Sequence, residues 1–343
     1  MNSVSTRALF RPIQIQGLSL PNRIVMAPMT RAFSPGGVAG ADVAAYYKRR
    51  AANGVGLIMT EGTFIPHASS GFDPNVPHMY GDAALDGWRN VTQAVHADGG
   101  HIFAQLWHVG LLVGGVKPPV GSAPVGPSMP LPEIEAIITA YGEAAENAKS
   151  AGFDGVEIHG AHGYLIDQFL WERTNHRVDQ YGGTLFGRAK FASDVIAEVR
   201  RRVGQTFPIS FRFSQYKIDH YDARLAKTPA ELDRLLAPLV AAGVDVLHAS
   251  AREFWAPAFE GSDLTLAGWT RKLTGVPTIA VGSMTLDSEA GLDKAIELME
   301  RDEFDMIAIG RSLLANPDWP RIVETGRTKD FKAFDRSVLE TLF

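Results

Sequence analysis

The sequence predicts a (β/α)8 barrel, a TIM barrel, closed at its base by an N-terminal capping hairpin. Eight short apolar runs recur along the 343 residues. They are rich in β-branched residues and nearly continuous rather than alternating, as strands buried on both faces should be. Amphipathic segments of helical period separate them, and eight strand–helix units in one chain point to a closed parallel barrel.

The apolar runs cover residues 24–27, 55–60, 101–106, 155–159, 209–213, 244–249, 278–281 and 305–309. The helical segments cover 41–52, 84–97, 132–151, 185–203, 229–242, 264–273, 288–301 and 317–324. Pro132 and Pro229 stand where a first-turn proline is tolerated, with Thr228 placed as an N-cap. Gly152, Gly204 and Gly243 fall where helices should stop. Before the first strand, residues 13–20 form a short hairpin pattern around Gly17. Two long connections, 67–83 and 110–131, follow strands and so belong to the C-terminal face, where barrel active sites form. No linker divides the chain, so one domain over 1–343 is expected. The alternative is an open doubly wound sheet, which usually carries a glycine fingerprint after its first strand. Gly54 and Gly56 begin such a pattern, but Met59 breaks it. Walker A, HExxH and GxSxG sequences are absent.

Composition narrows the function. The net charge is -5 and the pI about 6.1, which gives no basic field for nucleic acid. Arg200, Arg201 and Arg202 form a basic cluster, read as a solvated helix end. The cysteine count is 0, which excludes disulfides, thiol nucleophiles and cysteine-ligated metals. The first residues lack the apolar stretch of a signal peptide, and no apolar run approaches the ~18 residues of a membrane span. A cytoplasmic soluble protein is the expectation.

The stretch EIHGAHGYLIDQFL, residues 157–170, leaves the fourth strand for a loop and helix. It gathers His159, His162 and Tyr164 at a strand's C-terminal end. Imidazole N–H groups can bind a carbonyl oxygen, and a phenol can deliver a proton. With Glu157 the same histidines could ligate a metal, or they could be structural.

The chain as a whole resembles the old yellow enzyme family of FMN-dependent ene reductases. Residues 9–31, then TEGTFI, FAQLWHVG, HGAHGYLIDQFL, RVDQYGG and IGRSLLANPDW, follow in the family's order over nearly the whole length. The resemblance implies non-covalent FMN, with NADH or NADPH as reductant. It assigns Pro28, Met29 and Thr30 to flavin contacts at the end of the first strand. Gly62, after the second strand, would let the backbone approach the ring, and Gln105 would pair with the pyrimidine edge. Arg212 would sit beside flavin N1 and the C2 carbonyl, stabilising the anionic reduced form. Gly282, Ser283, Gly310 and Arg311 would hold the phosphate, in the loops after the last two strands. His159 and His162 would bind the substrate carbonyl without a metal, and Tyr164 would donate the proton. Trp107 and Phe72 would wall the substrate pocket, and Trp255, with Phe254, would reach it from the loop after the sixth strand; each aromatic also fits plain core packing.

The implied substrates are enones and enals, reduced at the C=C bond with ping-pong kinetics. Nitroaromatic or nitrate-ester reduction on the same site is an alternative. A phosphate-binding barrel lyase is another, but Schiff-base members need a strand-end lysine and Lys217 is the nearest. A non-catalytic FMN carrier would need neither Tyr164 nor the two histidines. Leu111 and Leu112 stand where many relatives are polar, and Phe186-Gly187 where relatives often have Glu-Asn. Residues 335–343 give no reading, and monomer or homo-oligomer stays open.

Overall fold

The computed structural model describes residues 6–111, 126–286 and 291–343. A two-stranded antiparallel hairpin, β1 (Ile13–Ile15) and β2 (Leu18–Leu20), comes first. Eight parallel strands then close a barrel: β3 (Ile24–Met26), β4 (Leu57–Phe64), β5 (Ile102–Trp107), β6 (Gly155–His159), β7 (Ile209–Ser214), β8 (Val246–Ser250), β9 (Thr278–Val281) and β10 (Met306–Ile309). Pairing of β10 with β3 closes the ring and excludes the open sheet.

Ten α-helices are found among the described residues: α1 (Ala41–Ala52), α2 (Asp82–His96), α3 (Leu131–Ser150), α4 (Leu165–Leu170), α5 (Leu185–Val203), α6 (Pro229–Ala241), α7 (Leu266–Thr274), α8 (Leu292–Glu300), α9 (Arg311–Ala315) and α10 (Trp319–Glu324). The Thr228 hydroxyl caps α6 by accepting from Glu231 N at 3.2 Å, a contact worth about 1 kcal/mol. The sequence did not separate α9 from the segment before α10. Most of the 110–131 connection, and the expected start of α8 at Ser288, lie outside the described residues.

Two apolar layers hold the barrel. Ile15 and Leu20 of the hairpin pack with Val25, Leu57, Met59 and Phe103, so the hairpin plugs one end. The larger layer lies between strands and helices, with Trp88, Phe169, Phe191 and Trp319 among its fully buried side chains. The basic cluster is not uniformly solvated: Arg200 is buried and paired with Asp245, whereas Arg201 stays exposed.

Two departures from the expected boundaries shape the site. First, β4 runs to Phe64, so Gly62 lies inside the strand, opposite Gln105, past a register shift that begins at Met59. Second, residues 338–341 fold back onto the loop after β3. The buried Arg31 guanidinium donates to the carbonyls of Val338, Leu339 and Thr341 at 3.1, 3.3 and 2.7 Å. The same loop is pinned from below, where Arg31 N and Ala32 N donate to one oxygen of Glu61 at 2.8 and 2.9 Å. Burial raises Glu61 to about 7 against the effect of those two bonds.

Candidate active site

The C-terminal strand ends and the loops after them enclose two adjoining cavities, with Pro28 and Arg212 lining both. The larger, about 430 Å³, lies over the ends of β3, β9 and β10. The smaller, about 160 Å³, lies over β4 to β7. Together they form one trough.

The larger cavity is lined by Gly282, Ser283, Gly310 and Arg311, and also by Met29, Ala333 and Phe334. Residues 333–334 gave no signal in the sequence because their approach depends on the chain folding back. Arg311 is exposed, lies 5.6 Å above the Phe334 ring and has no carboxylate partner among the described residues. Ser283 turns its hydroxyl to the carbonyl of Arg252 at 2.8 Å, leaving mainly its backbone to the cavity. Gly282 has φ +152°, and a Cβ there would lie 2.4 Å from the carbonyl oxygen of Ala251, so no side chain fits.

The smaller cavity is lined by Pro28, Thr30, Gly62, Gln105, Trp107, His159, His162, Tyr164 and Arg212. Neighbouring strands place the inward polar groups in register: Gln105 opposite Glu157, Glu157 opposite Ser210, and Arg212 opposite His248. Gln105 Nε2 donates to Glu157 at 2.8 Å. The other Glu157 oxygen accepts from Ser210 Oγ at 3.0 Å and His248 Nδ1 at 2.7 Å. Burial raises the Glu157 carboxyl, but His248, Arg212 and these hydrogen bonds outweigh it and hold it at about 2. Burial lowers His248, while the Glu157 carboxylate beside it acts the other way. Glu157 is thus committed away from His159 and His162. Among the described residues, no three His, Cys, Asp or Glu side chains converge as metal ligands.

Arg212 is 7% exposed, and its Nε has no partner among the described residues. Among the described residues its one hydrogen bond runs from Nη2 to Ser250 Oγ at 3.4 Å. A buried cation left this free is costly unless something anionic joins it.

His159 is buried and held neutral, lowered to about 3 by burial and by Arg212. Its Nδ1 accepts from Ala161 N at 3.3 Å, which puts the ring hydrogen on Nε2. Burial and Arg212 also lower His162, whose ring stands edge-on to His159 at 5.4 Å. Tyr164 caps α4 and meets His159 and Trp107 edge-on at 4.8 and 4.9 Å. Burial pushes its phenol up to about 12, so it keeps its proton.

Trp107 stacks on Phe64 at 5.3 Å and lies against Gly62, where a Cβ would come within 2.6 Å of the indole. Phe72 is half-buried and does not line this cavity. Phe254 is buried in the main core with Trp255 edge-on at 5.0 Å, and neither lines the cavity. Lys217 is buried in an ion pair with Asp167 at 2.8 Å, away from both cavities. Ser250, Tyr216 and His248 were missed by sequence reasoning, because their roles rest on contacts between strands far apart in the chain.

Comparison with known proteins agrees with this architecture. The family profile of the NADH:flavin oxidoreductase / NADH oxidase family matches residues 8–330. The chain is 35% identical over 342 residues to 12-oxophytodienoate reductase 7 of Oryza sativa subsp. japonica, covering 90% of this chain and 86% of that protein. The structure of morphinone reductase superposes with a TM-score of 0.82 at 31% identity, covering 98% of this chain and 94% of that one. Morphinone reductase in complex with tetrahydroNAD gives 0.81 at 31% identity, covering 96% and 93%. With its barrel, its trough and these similarities, the chain belongs to the NADH:flavin oxidoreductase / NADH oxidase family, that of old yellow enzyme.

Proposed function

We propose that this chain, as one domain, is an FMN-dependent NAD(P)H oxidoreductase that reduces the C=C bond of α,β-unsaturated carbonyl compounds. One observation carries the reading: two histidines and a protonated tyrosine converge on a cavity whose wall holds a buried arginine with no hydrogen-bond partner at Nε among the described residues. The residues present fit FMN. The free Arg311 and the Gly282 and Gly310 backbones would hold its phosphate in the larger cavity. Pro28, Thr30, Gly62, Gln105 and Arg212 would hold its ring in the adjoining one. The complex of morphinone reductase with tetrahydroNAD supports a nicotinamide as reductant.

When bound, the flavin supplies hydride transfer, from reduced nicotinamide and then to the acceptor. The chain's own groups do the rest. Arg212 places a fixed positive charge where an anion develops, in a site that excludes most water. His159 donates its Nε2–H to the substrate carbonyl oxygen, with His162 as the second donor, and so lowers the energy of the forming enolate. Tyr164 holds the proton that the α-carbon then receives. Trp107 closes one side of the pocket and keeps water from the reacting atoms.

The purified protein is expected to be yellow and to release FMN on denaturation. Phenols should add a long-wavelength charge-transfer band, lost when both histidines are replaced by alanine while FMN stays bound. A colourless protein that FMN cannot reconstitute overturns the reading.

A further inference from the structure

We propose that Ser250 and Tyr216 set the tautomer of His162, and that Arg212 acts on it through Ser250, making the arginine and the histidine one hydrogen-bonded unit. The consequence for catalysis rests on the function proposed above; the tautomer itself does not.

The order of donors favours one tautomer. A guanidinium can only donate. The Ser250 hydroxyl therefore accepts from Arg212 Nη2 at 3.4 Å, which occupies one of its two lone pairs and favours donation of its own hydrogen. His162 Nε2 lies 2.8 Å from that oxygen. The Tyr216 hydroxyl lies 3.1 Å from the same nitrogen, with its ring tilted against the imidazole at 5.1 Å. An imidazole that accepts at Nε2 carries its hydrogen at Nδ1. His162 Nδ1 has no protein partner among the described residues, and His162 lines the smaller cavity.

Backbone contacts keep this arrangement in place. His162 sits at φ +66°, a conformation side chains other than glycine rarely adopt. Its N–H donates to Ser214 Oγ at 2.9 Å, and that hydroxyl donates to the Tyr216 carbonyl at 2.6 Å. Ile218 N donates back to the His162 carbonyl at 3.2 Å. The loops after β6 and β7 are thus tied together, while β8 supplies Ser250.

The result is a matched pair of opposite tautomers. His159 offers Nε2–H because its Nδ1 accepts from the backbone. His162 offers Nδ1–H when its single Nε2 lone pair accepts from Ser250, at 2.8 Å, or from Tyr216, at 3.1 Å. Two hydrogens then face one carbonyl oxygen. With the other tautomer, His162 would present a lone pair to that oxygen and turn attraction into repulsion. Ser250 and Tyr216 are therefore positioning residues.

The test is nitrogen NMR of the protein as purified, labelled at histidine, with the His162 signals assigned by their loss in His162→Asn. The expected spectrum at neutral pH shows a protonated Nδ1 and a bare Nε2. Ser250→Ala with Tyr216→Phe should yield a mixture of tautomers, and Ser250→Thr should keep the wild-type pattern. Phenol affinity, read by the charge-transfer band, should fall about three- to tenfold in Ser250→Ala and recover in Ser250→Thr. A protonated Nε2 in the wild type overturns the proposal, even where Ser250→Ala fails to fold. So does a Ser250→Ala protein with unchanged tautomer and phenol affinity. A wild type without any phenol band defeats the functional reading instead, and the tautomer is still measured.

Discussion

Gln105 gives an amide hydrogen to Glu157 at 2.8 Å, and the receiving carboxylate is locked in turn by Ser210 and His248. The amide orientation at the cavity wall is therefore set from behind, by a group no ligand would touch. Glu157→Gln replaces the carboxylate with an amide and removes the charge that fixes Gln105. Flavin affinity is expected to fall about tenfold or more, since a hydrogen bond to a charged group contributes about 1.5–3 kcal/mol. Fluorescence titration of apoprotein with FMN measures it. Unchanged affinity would mean that Gln105 keeps its orientation without the carboxylate.

Tyr164→Phe keeps the ring contacts to Trp107 and His159 and removes only the hydroxyl. General acid catalysis contributes ~10²–10⁴-fold, and a loss in that range is expected for the step that consumes an enone. Flavin reduction by NAD(P)H needs no proton from Tyr164 and should hold its rate. Stopped-flow measurement of the two half-reactions separates them; equal slowing would show that the phenol positions a ligand instead.

Gly62→Ala places a methyl group about where the Trp107 indole already lies, 2.6 Å from the built Cβ. The indole must move toward Tyr164 or the strand must shift, and overpacking of this kind costs about 1–3 kcal/mol. Urea unfolding should show that loss, and phenol binding should weaken with it. Trp107→Phe in the same protein removes the colliding ring, so the double variant should recover much of the stability. A double variant no better than Gly62→Ala would place the strain elsewhere.

Acid should destabilise the fold through its buried neutral histidines. Burial takes His159 from 6.5 to about 3, and His108, buried beside His67, behaves alike. Because the folded value is the lower one, the unfolded chain takes up the proton first as pH falls. The contribution is complete above about pH 6.5 and is lost progressively toward pH 3, by about 1.4 kcal/mol per pH unit for each histidine. Glu61 works with the opposite sign: its raised folded value adds stability at low pH that is lost as pH rises through about 7. His159→Asn isolates one histidine. Its stability should fall less steeply than the wild type's between pH 6 and about 4, as read by urea unfolding. Parallel slopes would mean that His159 is protonated inside the fold.

The barrel was legible because its strands are buried on both faces, and continuous apolar runs are hard to write any other way. The family resemblance then assigned Pro28, Arg212, Gly282 and Gly310 to the site, and all four line the larger cavity. Side-chain partnerships were not legible. Gly62 reads as a loop glycine after an apolar run, and only the pairing of β4 with β5 shows it inside the strand, beneath Trp107. The roles of Ser250 and Tyr216 depend on a histidine 88 and 54 positions away. Phe254 reads as a possible pocket aromatic, but its ring turns into the core, a choice made by packing rather than by local pattern.

Arg31 follows Thr30 directly, and three carbonyls from residues 338–341 surround its guanidinium. Peeling those residues away would strip a buried cation of its acceptors, so the loop after β3 and the segment over it should open as one cooperative unit. Backbone amides in the two stretches should then share a common hydrogen-exchange rate, although some 300 positions separate them. Flavin lodged against Thr30 should slow exchange in residues 338–341 without touching them. A protease that trims this segment would act on cofactor retention from outside the pocket.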